Sequence, residues 1–120
     1  MERTYRREHY RLAVAYGALF SDNAVVGEGK VTNLSVFGCT IETATPVPCE
    51  QTLAMRLILP DKIESLPIDI AEVRWVNGNK VGLKFVQVER TANVRLHGFV
   101  WDRMVERFET ILASTPSPAS

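Results

Sequence analysis

Arg7 and Arg11 near the head of the chain, with Asn33, Ser35 and Gly38 just past two apolar runs, are the side chains best equipped for recognition chemistry. A guanidinium presents a planar fork of donors. It can bridge two phosphate oxygens or the O6 and N7 of a guanine, and it can lie flat on a purine ring. In an extended or turn segment ahead of a strand, the spacing of Arg7 and Arg11 lets both guanidinium groups fold back toward one concave site. Asn33 carries a donor and an acceptor on one amide and can read a guanine edge. Ser35 offers a small hydroxyl to a base or a phosphate, and Gly38 permits a backbone conformation or a close approach denied to other residues. Taken singly, the arginines also fit a solvated basic leader, and the Asn-Ser-Gly run fits a plain turn.

The composition says where such a site can sit. A chain of 120 residues fits one domain with a single core, and 46% hydrophobic against 23% charged residues excludes disorder over most of the length. The 14 basic and 14 acidic residues cancel to a formal charge of +0, which removes the global field of a nonspecific nucleic-acid binder. Any anion site must therefore be local. Arg3, Arg6, Arg7 and Arg11 crowd the first residues against only Glu2 and Glu8, and no lysine is among them. No apolar run is long enough for a membrane helix and no secretory leader opens the chain, so a cytoplasmic protein is expected.

The remaining reactive residue types give little. Cys39 and Cys49 lack the spacing of a metal or redox site; Cys39 in an apolar strand reads as a small buried thiol. His9 between the arginines reads as an exposed spacer, and His97 has no partner at metal-ligand spacing. Trp75 and Phe85 read as cross-strand core residues in preference to stacking platforms, and Trp101 as a residue packed against the barrel or turned to a partner. No Ser/His/Asp set, carboxylate pair or phosphate-cradling glycine loop stands in a context for catalysis, so no enzyme, metal or cofactor is expected.

The elements that position these residues follow from periodicity. Leu12 to Phe20 reads as a strand, Ser21-Asp22-Asn23 as a turn, and Ala24 to Thr32 as the returning strand, with Gly27 and Gly29 marking a bulge or a close backbone approach. One hairpin thus carries Arg7 and Arg11 ahead of its first strand and Asn33, Ser35 and Gly38 behind its second. Cys39 to Thr43 is a short strand closed by Pro46 and Pro48. Thr52 to Leu59 is the next. Pro67 to Val76 alternates with a one-residue phase slip near Ala71 that predicts a bulge, and Asn77-Gly78 predicts a hairpin into Val81 to Val88. Six strands with no helical crossover imply an all-β, six-stranded antiparallel barrel. From Thr91 to Ala113 the period changes to that of an amphipathic helix whose apolar stripe runs through Val94, Leu96, Phe99, Val100, Met104, Phe108, Ile111 and Leu112. The expected organisation is an Arg-rich leader over 1–11, a barrel with a C-terminal helix over 12–113, and a Ser/Pro tail over 114–120.

Arg7 to Arg11 with Asn33 to Gly38 resembles the RxxxR and (D/N)xSxxG pair of PilZ domains, small bacterial receptors for cyclic di-GMP. Val73-Arg74-Trp75-Val76 and Gly82-Leu83-Lys84-Phe85 look like the late strands of that family, so the resemblance extends from about Arg6 to Ala113. It implies a PilZ-type barrel in which Arg7 and Arg11, with Arg6 alongside, grip phosphates and guanines of cyclic di-GMP while Asn33, Ser35 and Gly38 complete a guanine pocket. The commoner Asp of the second signature is here an Asn, which the family also uses. Arg6 lies where the family influences whether one nucleotide or an intercalated pair is bound.

The expected protein is a receptor that catalyses nothing, as a monomer or a ligand-linked dimer. Its leader closes over the barrel mouth on binding and signals to a downstream protein partner. Two other classes compete: a PilZ-fold interaction adapter that ignores nucleotide, and a small barrel for single-stranded nucleic acid. The neutral charge and the lack of an interleaved basic and aromatic face count against the last.

Overall fold

Alternating apolar residues, broken by turn formers, pair into six strands in a computed structural model that describes residues 11–22 and 24–114. The strands are β1 (Leu12–Ser21), β2 (Val26–Leu34), β3 (Gly38–Glu42), β4 (Thr52–Ile58), β5 (Leu66–Asn77) and β6 (Lys80–Gln87), followed by one helix, α1 (Arg90–Ser114). Every neighbouring pair is antiparallel, and the sheet closes in the order β1-β2-β3-β6-β5-β4. Closure leaves no free sheet edge. The expected six-stranded barrel with a terminal helix is the fold observed. Arg3, Arg6, Arg7 and His9, and the tail beyond Ser114, lie outside the described residues.

The barrel interior is filled by the inward row of each strand, among them Phe20, Val31, Leu34, Ile41, Leu57, Ile68, Val73, Val81 and Leu83. On β5 the buried residues run Leu66, Ile68 and then Ala71, Val73, with the register shifting between Ile70 and Ala71. This is the bulge that the phase slip predicts. A second shift, between Val73 and Trp75, has no counterpart in the sequence expectation. It sets Trp75 opposite the outward-facing Gly82 and leaves the indole 43% exposed, so Trp75 is not a core residue, whereas Phe85 is buried. One inserted residue flips all that follows to the other face. Gly27 and Gly29 serve close approach: a Cβ at Gly27 would strike the Phe20 ring, and one at Gly29 would lie 2.8 Å from the Glu42 carbonyl oxygen.

Two turns differ in detail from the sequence expectation. Asn77 pairs with Lys80, so the β5–β6 loop residues are Gly78 and Asn79, with φ 62° at Gly78 supplying the left-handed first position. β2 starts later than Ala24 and runs through Leu34, so Asn33 is a strand residue and not part of the turn.

Helix α1 packs on the barrel through Ala92, Leu96, Phe99 and Val100, all buried, with Phe99 edge-on to Tyr16 at 5.8 Å and the Arg103 guanidinium 5.1 Å from the Phe99 ring centre. The expected stripe is longer than the part that is buried: Val94, Phe108, Ile111 and Leu112 are exposed, and so is Trp101 at 44%. At 1.5 Å per residue this helix is about 37 Å long, and its second half runs past the surface available to cover it. Arg95 anchors the first half: its Nε and Nη2 donate to Asp61 Oδ2 and Oδ1 at 3.1 and 2.8 Å.

Those hydrogen bonds hold the Asp61 carboxyl below its ordinary value of 3.8. A carboxyl with a lowered folded value contributes stability above its unfolded value and loses it as pH falls through the folded one. Asp61→Asn should therefore destabilise the protein by about 1 kcal/mol at most at neutral pH, as expected for a bidentate pair that solvent still screens in part. In urea titrations at successive pH values, the gap to wild type should close as pH falls below 3.8.

Candidate functional site

The β1–β2 hairpin does what the two signatures require of it. Leu12 pairs with Leu34 and Ala13 with Asn33, which brings Arg11, just ahead of β1, alongside the end of β2. Arg11 Nη1 donates to Asn33 Oδ1 at 3.1 Å across 22 residues of sequence. The two signatures are thus in direct contact through the one RxxxR arginine that is described.

Ser35 and Gly38 build the turn between β2 and β3. The Ser35 amide donates to the Gly38 carbonyl at 2.9 Å. The Ser35 Oγ accepts from the amides of Phe37 and Gly38, each at 3.2 Å, and donates to the Gly38 carbonyl at 3.3 Å. A hydroxyl has one proton and two lone pairs, so all of its capacity is engaged inside the turn, where Ser35 is buried. Gly38 faces β6, paired with Lys84, and a Cβ there would collide with the Leu83 carbonyl oxygen. Of the two uses the sequence allows this glycine, the structure takes close approach. The Phe37 carbonyl accepts from the Phe85 amide at 2.7 Å, which locks the turn onto β6.

Beside this turn, on the outer surface of β3, β6 and β5, lies an open cleft of about 430 Å³ whose lining includes Arg11, Phe37, Gly38, Arg74, Trp75 and Lys84. Among the described residues, three cations and no carboxylate line it. Arg74 Nη1 also holds Glu72 Oε1 at 3.2 Å, a half-exposed pair that tempers its charge without closing the cleft. Two other surface clefts, of about 340 and 430 Å³, are lined by Arg56 with Asp69 and by Glu28 with Glu42, so neither favours an anion. Cys39 is behind the Arg11 cleft with its thiol pushed up to about 12 by burial, partly opposed by the Arg11 charge; it is neutral and packs as a small apolar group. Among the described residues no group of His, Cys, Asp and Glu is placed to hold a metal, and no helix is long and apolar enough to cross a membrane.

The structure therefore joins Arg11 to Asn33, uses Ser35 and Gly38 to shape the turn, and adds Phe37, Arg74, Trp75 and Lys84. Sequence reasoning passes over Phe37, Arg74 and Lys84 because each sits in a run that reads as plain strand or turn, and it takes Trp75 as a core residue in preference to a stacking platform. No local signal marks the placement of Trp75, because the bulge that sets it across from Gly82 shows only in the paired strands.

The family model that matches the sequence is the PilZ domain, over residues 5–100. The chain belongs to the PilZ domain family. Among solved structures it is similar to YcgR from Escherichia coli in complex with c-di-GMP, at 13% identity and TM-score 0.73, covering 92% of this chain and 51% of that one. It is also similar to the Bacillus subtilis inhibitor of motility MotI/DgrA, at 16% identity and TM-score 0.71, covering 88% and 55%. The PilZ domain of CeSA from a cellulose-synthesizing bacterium matches at 11% identity and TM-score 0.63, covering 79% and 98%. The chain spans about half the length of the first two. At these identities the likeness is one of fold. No curated protein matches the sequence.

Different PilZ signature residues should fail in different ways. Ser35→Ala leaves two amides without their acceptor and should cost about 1–3 kcal/mol of stability. Arg11→Ala, at an exposed side chain, should leave the melting temperature nearly unchanged in a thermal scan. Thiol alkylation of the native protein should modify exposed Cys49 rapidly and buried Cys39 only on unfolding, since the thiolate is the reacting form.

Proposed function

We propose that this PilZ domain is a receptor for cyclic di-GMP, and that binding is its whole chemistry. The observation that carries the reading is the hydrogen bond from Arg11 to Asn33 at the edge of a cleft whose charged lining, among the described residues, is Arg11, Arg74 and Lys84. Cyclic di-GMP carries two phosphates and two guanines, and the chain offers matching partners: forked guanidinium donors for phosphate and for the O6 and N7 of guanine, and an amide for a base edge. In the proposed complex Arg7 and Arg11 grip the ligand with Arg6 beside them, while Asn33 and the Ser35-to-Gly38 turn border a guanine. Ser35 contributes by holding the turn amides in place more than by its own hydroxyl.

The proposed output is conformational. The leader over 1–11 closes on the nucleotide, and the new surface is read by a downstream protein partner in the cytoplasm. The hydrogen bond between Arg11 and Asn33 is an exposed contact between a charged and a neutral group. Phosphate, a charged acceptor, competes with it favourably.

Isothermal titration calorimetry with cyclic di-GMP tests this. Wild type should bind, and Arg7→Ala and Arg11→Ala should each weaken binding by roughly ten- to hundredfold, the loss of one charge-assisted contact set. No heat with wild type would overturn the receptor reading and favour an adapter that uses the fold without nucleotide.

A further inference from the structure

Helix α1 has two apolar faces, and the barrel covers one. Ala92, Leu96, Phe99 and Val100 are buried against it. Val94, Gly98, Trp101, Val105, Phe108 and Leu112 follow one another at alternating intervals of four and three residues, a seam that at about 3.6 residues per turn lies on the opposite side of the helix. Along that side Val94, Phe108 and Leu112 are 67%, 63% and 60% exposed. A surface helix ordinarily turns polar residues outward. This one turns outward the spacing by which two helices interlock.

Gly98 points to the occupant. Glycine is a poor helix former, yet it stands within the helix on this seam, and among the described residues nothing lies within 4 Å of where its Cβ would be. Packing on the barrel gives it no reason to be small. In an antiparallel pair related by a two-fold axis level with Arg103, Gly98 faces the partner's Phe108, Val94 faces the partner's Leu112 and Val105 faces the partner's Trp101. Each smaller residue meets a larger one, and the match holds for both copies because the seam mirrors itself about residue 103. A parallel pair in register would set Phe108 against Phe108 and leave two glycines facing a gap. We propose that α1 is a dimerisation surface and that its occupant is the same helix of a second copy, laid antiparallel so that Gly98 receives the partner's Phe108. The pairing needs no nucleotide and is independent of the receptor reading. Each seam with its flanks offers on the order of 600 Å², the low end for a specific interface, so monomer and dimer exchange with concentration.

Sedimentation velocity on the full chain, without nucleotide and from micromolar to near-millimolar concentration, should show the mass rise from one chain toward two. Phe108→Glu should raise the dissociation constant roughly tenfold or more, as for a large apolar residue inside an interface. Its side chain is exposed in the single chain, so circular dichroism should show the fold retained. Gly98→Leu has room in the single chain and improves the helix, so it should melt higher yet associate more weakly. Val94→Lys and Leu112→Glu should each be monomeric alone, and their mixture should sediment as a heterodimer, because residue 94 of one copy faces residue 112 of the other. A mass of one chain throughout, association only with cyclic di-GMP, or a dimer unchanged by Phe108→Glu and Leu112→Glu overturns the proposal. Monomeric single variants whose mixture also stays monomeric overturn the antiparallel register.

Discussion

Barrel closure presses β3 against β6 so tightly that residue 38 has no room for a side chain, and the cleft depends on that contact. With Gly38 opposite Lys84, the Phe37 carbonyl reaches the Phe85 amide and the turn before it is pulled onto β6. Ser35 then satisfies the amides that the tight reversal would otherwise bury unpaired. The same register carries Gly82 opposite Thr40 on one side and Trp75 on the other. Phe37, Lys84 and Trp75 reach one surface because of one close backbone approach.

Electrostatics work on this frame locally. The chain is neutral overall, yet Arg11, Arg74 and Lys84 line one cleft and Glu72 stands behind Arg74. Asn33 matters here through what it lacks. An aspartate at this position would hold Arg11 in an ion pair, whereas the amide oxygen holds it by a charged-to-neutral hydrogen bond that does not neutralise the guanidinium. The result is a cation oriented toward the second signature but still attractive to an incoming anion. At Cys39, just behind, burial outweighs the nearby positive charge and keeps the thiol neutral.

Helix α1 shows the difference between an amphipathic pattern and a buried face. Leu96, Phe99 and Val100 are buried and Arg95 is tied to Asp61, but Phe108 and Leu112, in the stripe expected from periodicity, are more than half exposed. Periodicity reports which residues share a side of the helix. How much of that side is covered depends on how far the barrel reaches, which no local pattern encodes.

The strands, their turns, the bulge at Ala71, the helix and the adjacency of Arg11 to Asn33 were legible in the residues themselves, because alternation, turn chemistry and a single hairpin are local properties. Two readings needed the assembled barrel. Ser35 was legible as a hydroxyl for a ligand, and only the folded turn reveals that its hydrogen-bonding capacity is engaged within the protein. Trp75 was legible as core, in phase with Val73, until a second bulge with no signature of its own turned it outward. By itself the sequence determined the kinds of groups available for recognition and the hairpin that joins the two signatures. The tertiary structure decided which cations share a cleft and which face of β5 carries the indole, since a one-residue change of register reverses a strand's faces and appears only when the strands pair.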